Sequence, residues 1–328
     1  MQVLLAARPG GAPKESDFRI VETELRDPAA GELLLKTLYL SLDPYMRGRM
    51  SDAKSYAKPV ALGDVMVGGT ASEVVASAHA GFAVGDVVVG NTGWQTFALS
   101  DGKGLMKVDR RLPTSAFLGA VGMPGVTAWY GLSQIGAPKP GETVVVTSAS
   151  GAVGSVVGQL AKLAGCRAVG VAGGAEKCAY VTRELGFDAC IDHRDPQLEH
   201  QLAAATPAGI DVYFENVGGE LLDLALARLN PFARIPLCGM VSQYNATTPY
   251  RVKHFMALLT NRVTLRGFIV SEHLDAWPQA LAELGAHVAA GRIKFKEHVT
   301  SGLERAPAAF IAMLDGKNFG KALVKVAA

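Results

Sequence analysis

With 328 residues, 49% apolar and 19% charged, the chain can bury a large core and is far too apolar for a disordered polymer. A formal net charge of +2, with Lys and Arg scattered along the chain, excludes a nucleic-acid or membrane surface built on charge. No apolar run reaches the ~18 residues needed to span a bilayer. The opening residues lack a signal-peptide layout, so a cytoplasmic location is expected, and the length suggests two domains.

Residues 1–120 predict short strands at Gln2–Ala6, Phe18–Thr23, Glu32–Leu40, Thr70–Val75, Asp86–Val89 and Leu105–Val108, broken by Gly, Pro, Asp and Asn. Strands at such intervals, without a long helical pattern, predict a small antiparallel barrel. Leu118–Ile135 reads as helical, with Pro124-Gly125 near its opening. The chain then alternates. Val144, Val145 and Val146 form a strand apolar on both faces, and Val156, Val157, Leu160, Leu163 and Ala164 recur at the spacing of one helix face. Further strands are expected at Ala168–Gly173, Ala189–His193, Ile210–Asn216, Ile235–Met240 and Thr264–Val270. Asp195-Pro196 reads as a helix N-cap followed by proline at the first helical position. A last helix over Leu274–Ala290 leads to strands Ile293–Val299 and Ala322–Val326. The expected architecture is α/β: a Rossmann-type doubly wound parallel sheet over 121–292, and a barrel domain over 1–120 completed by 293–328, with the active cleft between them.

Between the first parallel strand and its helix lies Ala149-Ser150-Gly151-Ala152-Val153-Gly154, a G-x-G-x-x-G pattern with Ala in its first place. Gly151 lets backbone approach a pyrophosphate, Gly154 lets the helix pack on the strand, and the N–H groups of the helix start hold the phosphates. The second strand ends Val171-Ala172-Gly173-Gly174-Ala175, without the carboxylate that binds an NAD ribose diol. Lys177 alone reads as a solvated helix lysine. The missing acid, together with His193 and Arg194 at the end of the third strand, favours a 2′-phosphate, hence NADPH. Glu176 dissents, but is expected to point along its helix.

No metal is expected. Cys166, Cys178, Cys190 and Cys238 stand singly, and His79, His193, His200, His254, His273, His287 and His298 lie at no metal-ligand spacing. Without a Lewis acid, hydride addition to an electron-poor C=C bond is less demanding than alcohol–carbonyl exchange. The enolate it generates needs only a hydrogen-bond donor.

Several stretches resemble the zinc-independent medium-chain dehydrogenases/reductases of the alkenal and prostaglandin reductase group, especially the bacterial NADPH-dependent curcumin reductases. They are Asp43-Pro44-Tyr45-Met46-Arg47-Gly48-Arg49-Met50, Val65-Met66-Val67-Gly68-Gly69-Thr70, Gly122-Met123-Pro124-Gly125-Val126-Thr127-Ala128, Gly170 to Cys178, Glu215-Asn216-Val217-Gly218-Gly219, Tyr244-Asn245-Ala246-Thr247 and Gly316-Lys317-Asn318-Phe319-Gly320-Lys321. The resemblance implies a GroES-like barrel beside the Rossmann domain, and a homodimer. It implies that Lys177 and the region of His193 bind the 2′-phosphate, and that Asn216, Cys238 and Gly239, with Phe268, Ile269 and Val270, line the ribose and nicotinamide. Asn318 would lie close by, and Pro124 and Thr127 would face the cofactor. Tyr244 would sit over the substrate carbonyl as hydrogen-bond donor, with Tyr45 and Tyr56 lining the cleft.

The same residues have plainer readings. Tyr244 is a loop tyrosine, Asn216 and Asn318 are turn residues beside glycines, Tyr45 is a barrel-anchoring aromatic in a loop, and Arg47 and Arg49 are structural. Two departures stand out. His193 occupies the place of a tyrosine in mammalian relatives, making its phosphate contact weaker or pH-dependent, and the loop after Tyr244 is short. The function expected is NADPH-dependent reduction of enones and enals. The alternatives are a quinone reductase on the same fold, a non-enzymatic NADPH-binding redox sensor and, last, a zinc alcohol dehydrogenase.

Overall fold

A computed structural model describes residues 1–326 and divides into two compact units, Met1–Leu118 with Glu297–Ala328, and Gly119–Lys296. In the first unit β1 (Gln2–Leu5) and β2 (Phe18–Val21) form an antiparallel pair. A larger sheet joins β3 (Leu33–Ser41), β4 (Thr70–Ser77), β5 (Val87–Gly90), β6 (Phe97–Ser100) and β7 (Met106–Lys107). Along β3 the buried positions Leu33, Leu35 and Thr37 keep the two-residue period, and the phase slips to Leu40 where the register with β4 shifts between Thr37 and Tyr39. Two elements here were not expected. One is β6, too short to display a period against its turn-rich flanks. The other is helix α1 (Tyr45–Arg49), opened by Pro44 in helical geometry, so that Tyr45 begins a helix and does not lie in a loop.

The second unit opens with α2 (Met123–Tyr130), which runs on as a π-helical turn over Gly131–Gly136. Then alternate β8 (Thr143–Thr147), α3 (Gly154–Leu163), β9 (Arg167–Ala172), α4 (Ala175–Arg183), β10 (Ala189–Asp192), α5 (Leu198–Ala205), β11 (Ile210–Phe214), α6 (Gly219–Leu226), β12 (Leu229–Leu237), α7 (Ala257–Thr260), β13 (Thr264–Gly267) and α8 (Trp277–Ala289). The sheet order is β10-β9-β8-β11-β12-β13, parallel throughout. Val144 and Val146 belong to one apolar core and Val145 to another. Successive side chains of β8 therefore enter cores on opposite faces, which is why its sequence shows no polar alternation. Helix α5 starts later than the Asp195-Pro196 pattern suggests, because Asp195 Oδ1 accepts from Gln197 N at 2.8 Å in a turn before the helix. The strand expected to reach Val270 stops at Gly267, and a 3₁₀ turn follows at Val270–Glu272.

The chain returns to the first unit with β14 (Glu297–Ser301), α9 (Ala306–Leu314) and β15 (Lys321–Lys325). β15 pairs antiparallel with β3 but parallel with β14, so the barrel-like sheet is not wholly antiparallel. The intervening α9 supplies the crossover that a parallel pair needs. No helix of the described residues is long and apolar enough to cross a membrane.

Candidate cofactor and active site

The turn after β8 is shaped by backbone crowding. Ser148 is left-handed, with φ 54, and Ala149 N donates to Val171 O at 2.9 Å, tying the turn to β9. A Cβ on Gly154 would collide with the Ser148 carbonyl oxygen and come 3.0 Å from Ala149 Cα, whereas one on Gly151 would mainly meet Ser148 Oγ, at 2.8 Å. Gly154 is thus required by helix-to-strand contact. Gly151 keeps the approach to the helix start open, where the positive end of the α3 dipole favours an anion.

At the tip of β9 the structure brings the expected cations together. A Cβ on Gly173 would lie 2.8 Å from His193 Nε2 and 3.3 Å from Arg194 Nη2, so both side chains fold back over this glycine. Burial lowers the Lys177 pKa, and the charge of Arg194 lowers it further against the pull of Glu176. Burial likewise lowers His193, followed by Arg194, with Lys177 adding to the effect and Asp192 opposing it. Asp192 does not cancel the cluster: its Oδ1 accepts from Gly174 N at 2.9 Å and Arg194 N at 3.0 Å. Glu176 is exposed in the first turn of α4. Lys177, Arg194 and an imidazole able to take up a proton, beside an open backbone, suit a phosphate dianion.

A second group converges beyond the ends of β11 and β12. Buried Glu215 accepts through Oε1 from Val217 N at 2.6 Å, Gly218 N at 2.9 Å and Thr147 Oγ1 at 3.1 Å. Asn216 is pinned to the end of β8, its N donating to Thr147 Oγ1 at 2.9 Å and its Nδ2 to Thr147 O at 2.8 Å. The Glu215 carbonyl accepts from Cys238 N at 2.9 Å and Gly239 N at 3.1 Å. Tyr244 follows a 3₁₀ turn at Val241–Gln243, and its hydroxyl lies 3.4 Å from Met240 N and 3.1 Å from where a Gly239 Cβ would stand. Asn216, Cys238, Gly239 and Tyr244 are therefore neighbours. Thr147 and Glu215, which organise them, were given no role by the sequence, although Glu215 opens the Glu215–Gly219 motif and directly continues the apolar run of β11.

Burial raises the Glu215 pKa against its three hydrogen bonds. Burial, then the charge of Glu215, pushes the Cys238 thiol up to about 12. Phe268 and Val270 are buried, and the Phe268 ring packs 5.7 Å from Tyr130 and edge-on to Phe214 at 6.4 Å. Thr127 Oγ1 donates to Met123 O at 2.7 Å one turn back in α2, whose Pro124 is buried.

Tyr45, Tyr56 and Asn318 lie in the first unit. Tyr45 is held protonated by burial and then by the neighbouring charges of Asp43 and Tyr56, so Tyr45 and exposed Tyr56 are close. Asn318 Nδ2 donates to Gly320 O at 2.7 Å. Arg47 donates to Pro9 O at 3.2 Å and Gly11 O at 2.8 Å, a loop anchor. Among the described residues no three His, Cys, Asp or Glu side chains are grouped to hold a metal ion.

Comparison with known proteins matches residues 1–108 to a family described as the N-terminal domain of oxidoreductase, and residues 152–286 to one described as zinc-binding dehydrogenase. The NADPH-dependent curcumin reductase of Escherichia coli is 51% identical over 99% of this chain and 96% of its own. The chain belongs to the curcumin, alkenal and prostaglandin reductase family. Another member of this medium-chain dehydrogenase/reductase family, prostaglandin reductase 1 of Rattus norvegicus, is 43% identical over 96% of this chain and 95% of its own. The crystal structure of CurA from Vibrio vulnificus in complex with NADPH shares a TM-score of 0.96 at 50% identity, covering 100% of this chain and 99% of that one. The quinone oxidoreductase of Escherichia coli, at 19% identity and a TM-score of 0.79, shares the fold alone.

Proposed function

We propose that the chain is an NADPH-dependent reductase of the C=C bond in α,β-unsaturated carbonyls, the enones and enals to which curcumin belongs. The observation that carries this reading is the 51% identity, over essentially the whole chain, to an NADPH-dependent curcumin reductase. The residues fit the cofactor. Ser150, Gly151, Ala152, Val153 and Gly154 would hold its pyrophosphate, while Gly173, Lys177, His193 and Arg194 would hold the 2′-phosphate. Asn216, Cys238, Gly239, Phe268, Ile269 and Val270, with Pro124, Thr127 and Asn318, would hold the ribose and nicotinamide. The second unit is then the cofactor-binding domain, with Tyr45, Tyr56 and Asn318 proposed as substrate and nicotinamide contacts.

When bound, NADPH supplies the hydride that adds to the β-carbon, and the α-carbon is protonated afterwards to give the saturated carbonyl. The chain's own part is electrostatic. Negative charge develops on the carbonyl oxygen, and the Tyr244 hydroxyl donates a hydrogen bond to it, lowering the barrier most where the charge is greatest. Cys238, a protonated thiol at neutral pH, neither competes for the electrophilic substrate nor brings charge to the site.

NADPH oxidation followed by absorbance, with an enone, a quinone and a saturated ketone in parallel and NADH as control, tests the reading. The enone alone should be turned over rapidly, to its saturated ketone. Oxidation by the quinone alone would overturn it. Tyr244→Phe should lower kcat about 10²–10³-fold, and turnover equal to the parent would remove Tyr244 from the mechanism.

We further infer a cytoplasmic homodimer. Support comes from the free cysteines, from the exposed edge strand β13 with Leu265, and from the exposed side chains of Phe255, Met256 and Leu259. Sedimentation at a monomer mass would refute the dimer.

A further inference from the structure

The first unit contains a buried charge cluster that the reaction above does not use. Lys321, the first residue of β15, and Asp43 have side chains only 5% and 7% exposed, with Nζ 2.5 Å from Asp43 Oδ1. The same ammonium donates to Leu42 O at 2.9 Å. Ser41, at the end of β3, donates its hydroxyl to the other Asp43 oxygen. On the neighbouring strand Glu297 is the register partner of Lys321. Its carboxyl titrates above the usual range through burial, opposed by the Ser115 hydroxyl and the Lys321 charge, and its Oε1 is buried without a hydrogen-bond partner among the described residues.

A fold seeking only stability has a cheaper solution here. Desolvating an ammonium and a carboxylate largely offsets their attraction, and well-packed apolar side chains often serve as well or better. The pair does, however, fix geometry. Asp43 stands two residues before Tyr45 and the start of α1. Lys321 directly follows the turn that Asn318 closes onto Gly320, a turn whose last residue is left-handed at φ 84. One short ion pair thus joins the segment presenting Tyr45 to the segment presenting Asn318, across 278 residues of sequence.

We infer that Asp43 and Lys321 are positioning residues, which hold Tyr45 and Asn318 at a set separation for substrate and cofactor. This rests on the roles given to those two residues above. A charged pair suits the task because its short directional bonds tolerate less sliding than apolar packing.

The test is the neutral double variant Asp43→Asn/Lys321→Met, which removes the charge without leaving one partner buried alone. Its melting midpoint and circular dichroism are compared with the parent, and kinetics are read well below the midpoint. Enone kcat/KM is expected to fall about 10–10²-fold, the range a small misplacement costs. Fluorescence titration should show NADPH and NADH weakened by the same factor, because the cations at Gly173 are untouched. Lys321→Arg, keeping the charge, should recover part of the loss. A folded double variant with parental kcat/KM and parental cofactor affinities overturns the inference. If the double variant does not fold, Asp43→Asn alone is read the same way, and unchanged kinetics again overturn it. A parent that binds NADPH but reduces no enone would refute the substrate reading instead, and the cofactor titrations would then decide whether Asn318 is positioned.

Discussion

His193 makes cofactor affinity a function of pH. In the free protein, burial and the charges of Arg194 and Lys177 hold its imidazole below the ordinary value of 6.5, so it is mostly neutral at pH 7. A 2′-phosphate dianion beside it reverses the balance and raises its pKa in the complex. Between those two values NADPH binding takes up a proton, so affinity falls as pH rises, by at most tenfold per pH unit. The ring is partly solvated, so the low end of a charge-assisted hydrogen bond applies, about 1.5 kcal/mol or roughly a tenfold change in Kd, lost as pH rises through the His193 pKa of the complex. The phosphate's own second ionisation, near ~6, weakens binding on the acid side. Nicotinamide fluorescence titrations at fixed ionic strength should therefore show NADPH affinity passing through a maximum as pH rises, and a flat NADH profile. His193→Gln should keep the acid limb and lose the alkaline one. Parallel NADPH and NADH profiles, or an alkaline limb that survives in His193→Gln, would refute the reasoning.

Other consequences are as direct. Gly154→Ala drives a methyl group into the Ser148 carbonyl, and should weaken both cofactors at least tenfold, about 1.4 kcal/mol, with a lowered melting midpoint. Gly151→Ala meets mainly the Ser148 side chain and should cost less, and the opposite ranking in titrations would contradict the geometry. Buried Asp223 accepts from Lys253 N at 2.9 Å and His254 N at 2.8 Å, tying that segment to α6. Burial raises its pKa, but these bonds and those from Tyr250 and His254 outweigh it, leaving the pKa below 3.8. Its stabilisation is therefore present above pH 3.8 and lost as pH falls through the folded value. Asp223→Asn should cost about 1.5–3 kcal/mol at pH 7, the gap to the parent narrowing in melts at low pH; a gap that persists would rule out the charge. With Cys238 pushed up to about 12, iodoacetamide mapped by mass spectrometry should label it far more slowly in the native than in the unfolded chain. Equal rates would show an accessible thiolate.

What the sequence determined by itself lies within single structural units. The valine run of β8, the glycine turn and the face of α3 are set by periods of two and 3.6 residues and by steric needs within a few positions. The cations at Gly173 were legible for a similar reason: adjacent parallel strands end side by side, so residues just past β9 and β10 must meet. Elements whose limits depend on a few local bonds shifted, as α5 did behind Asp195. Only the tertiary structure revealed the pairs that span the chain. Thr147 and Glu215, 68 residues apart, look locally like a strand end and a loop acid, yet together they fix Asn216. Asp43 and Lys321 look like surface charges beside turns, and their burial appears only when β15 returns to β3. A hydrogen bond between distant residues leaves no periodicity in the sequence, because neither partner carries in its own neighbourhood any trace of which residue the fold will bring to it.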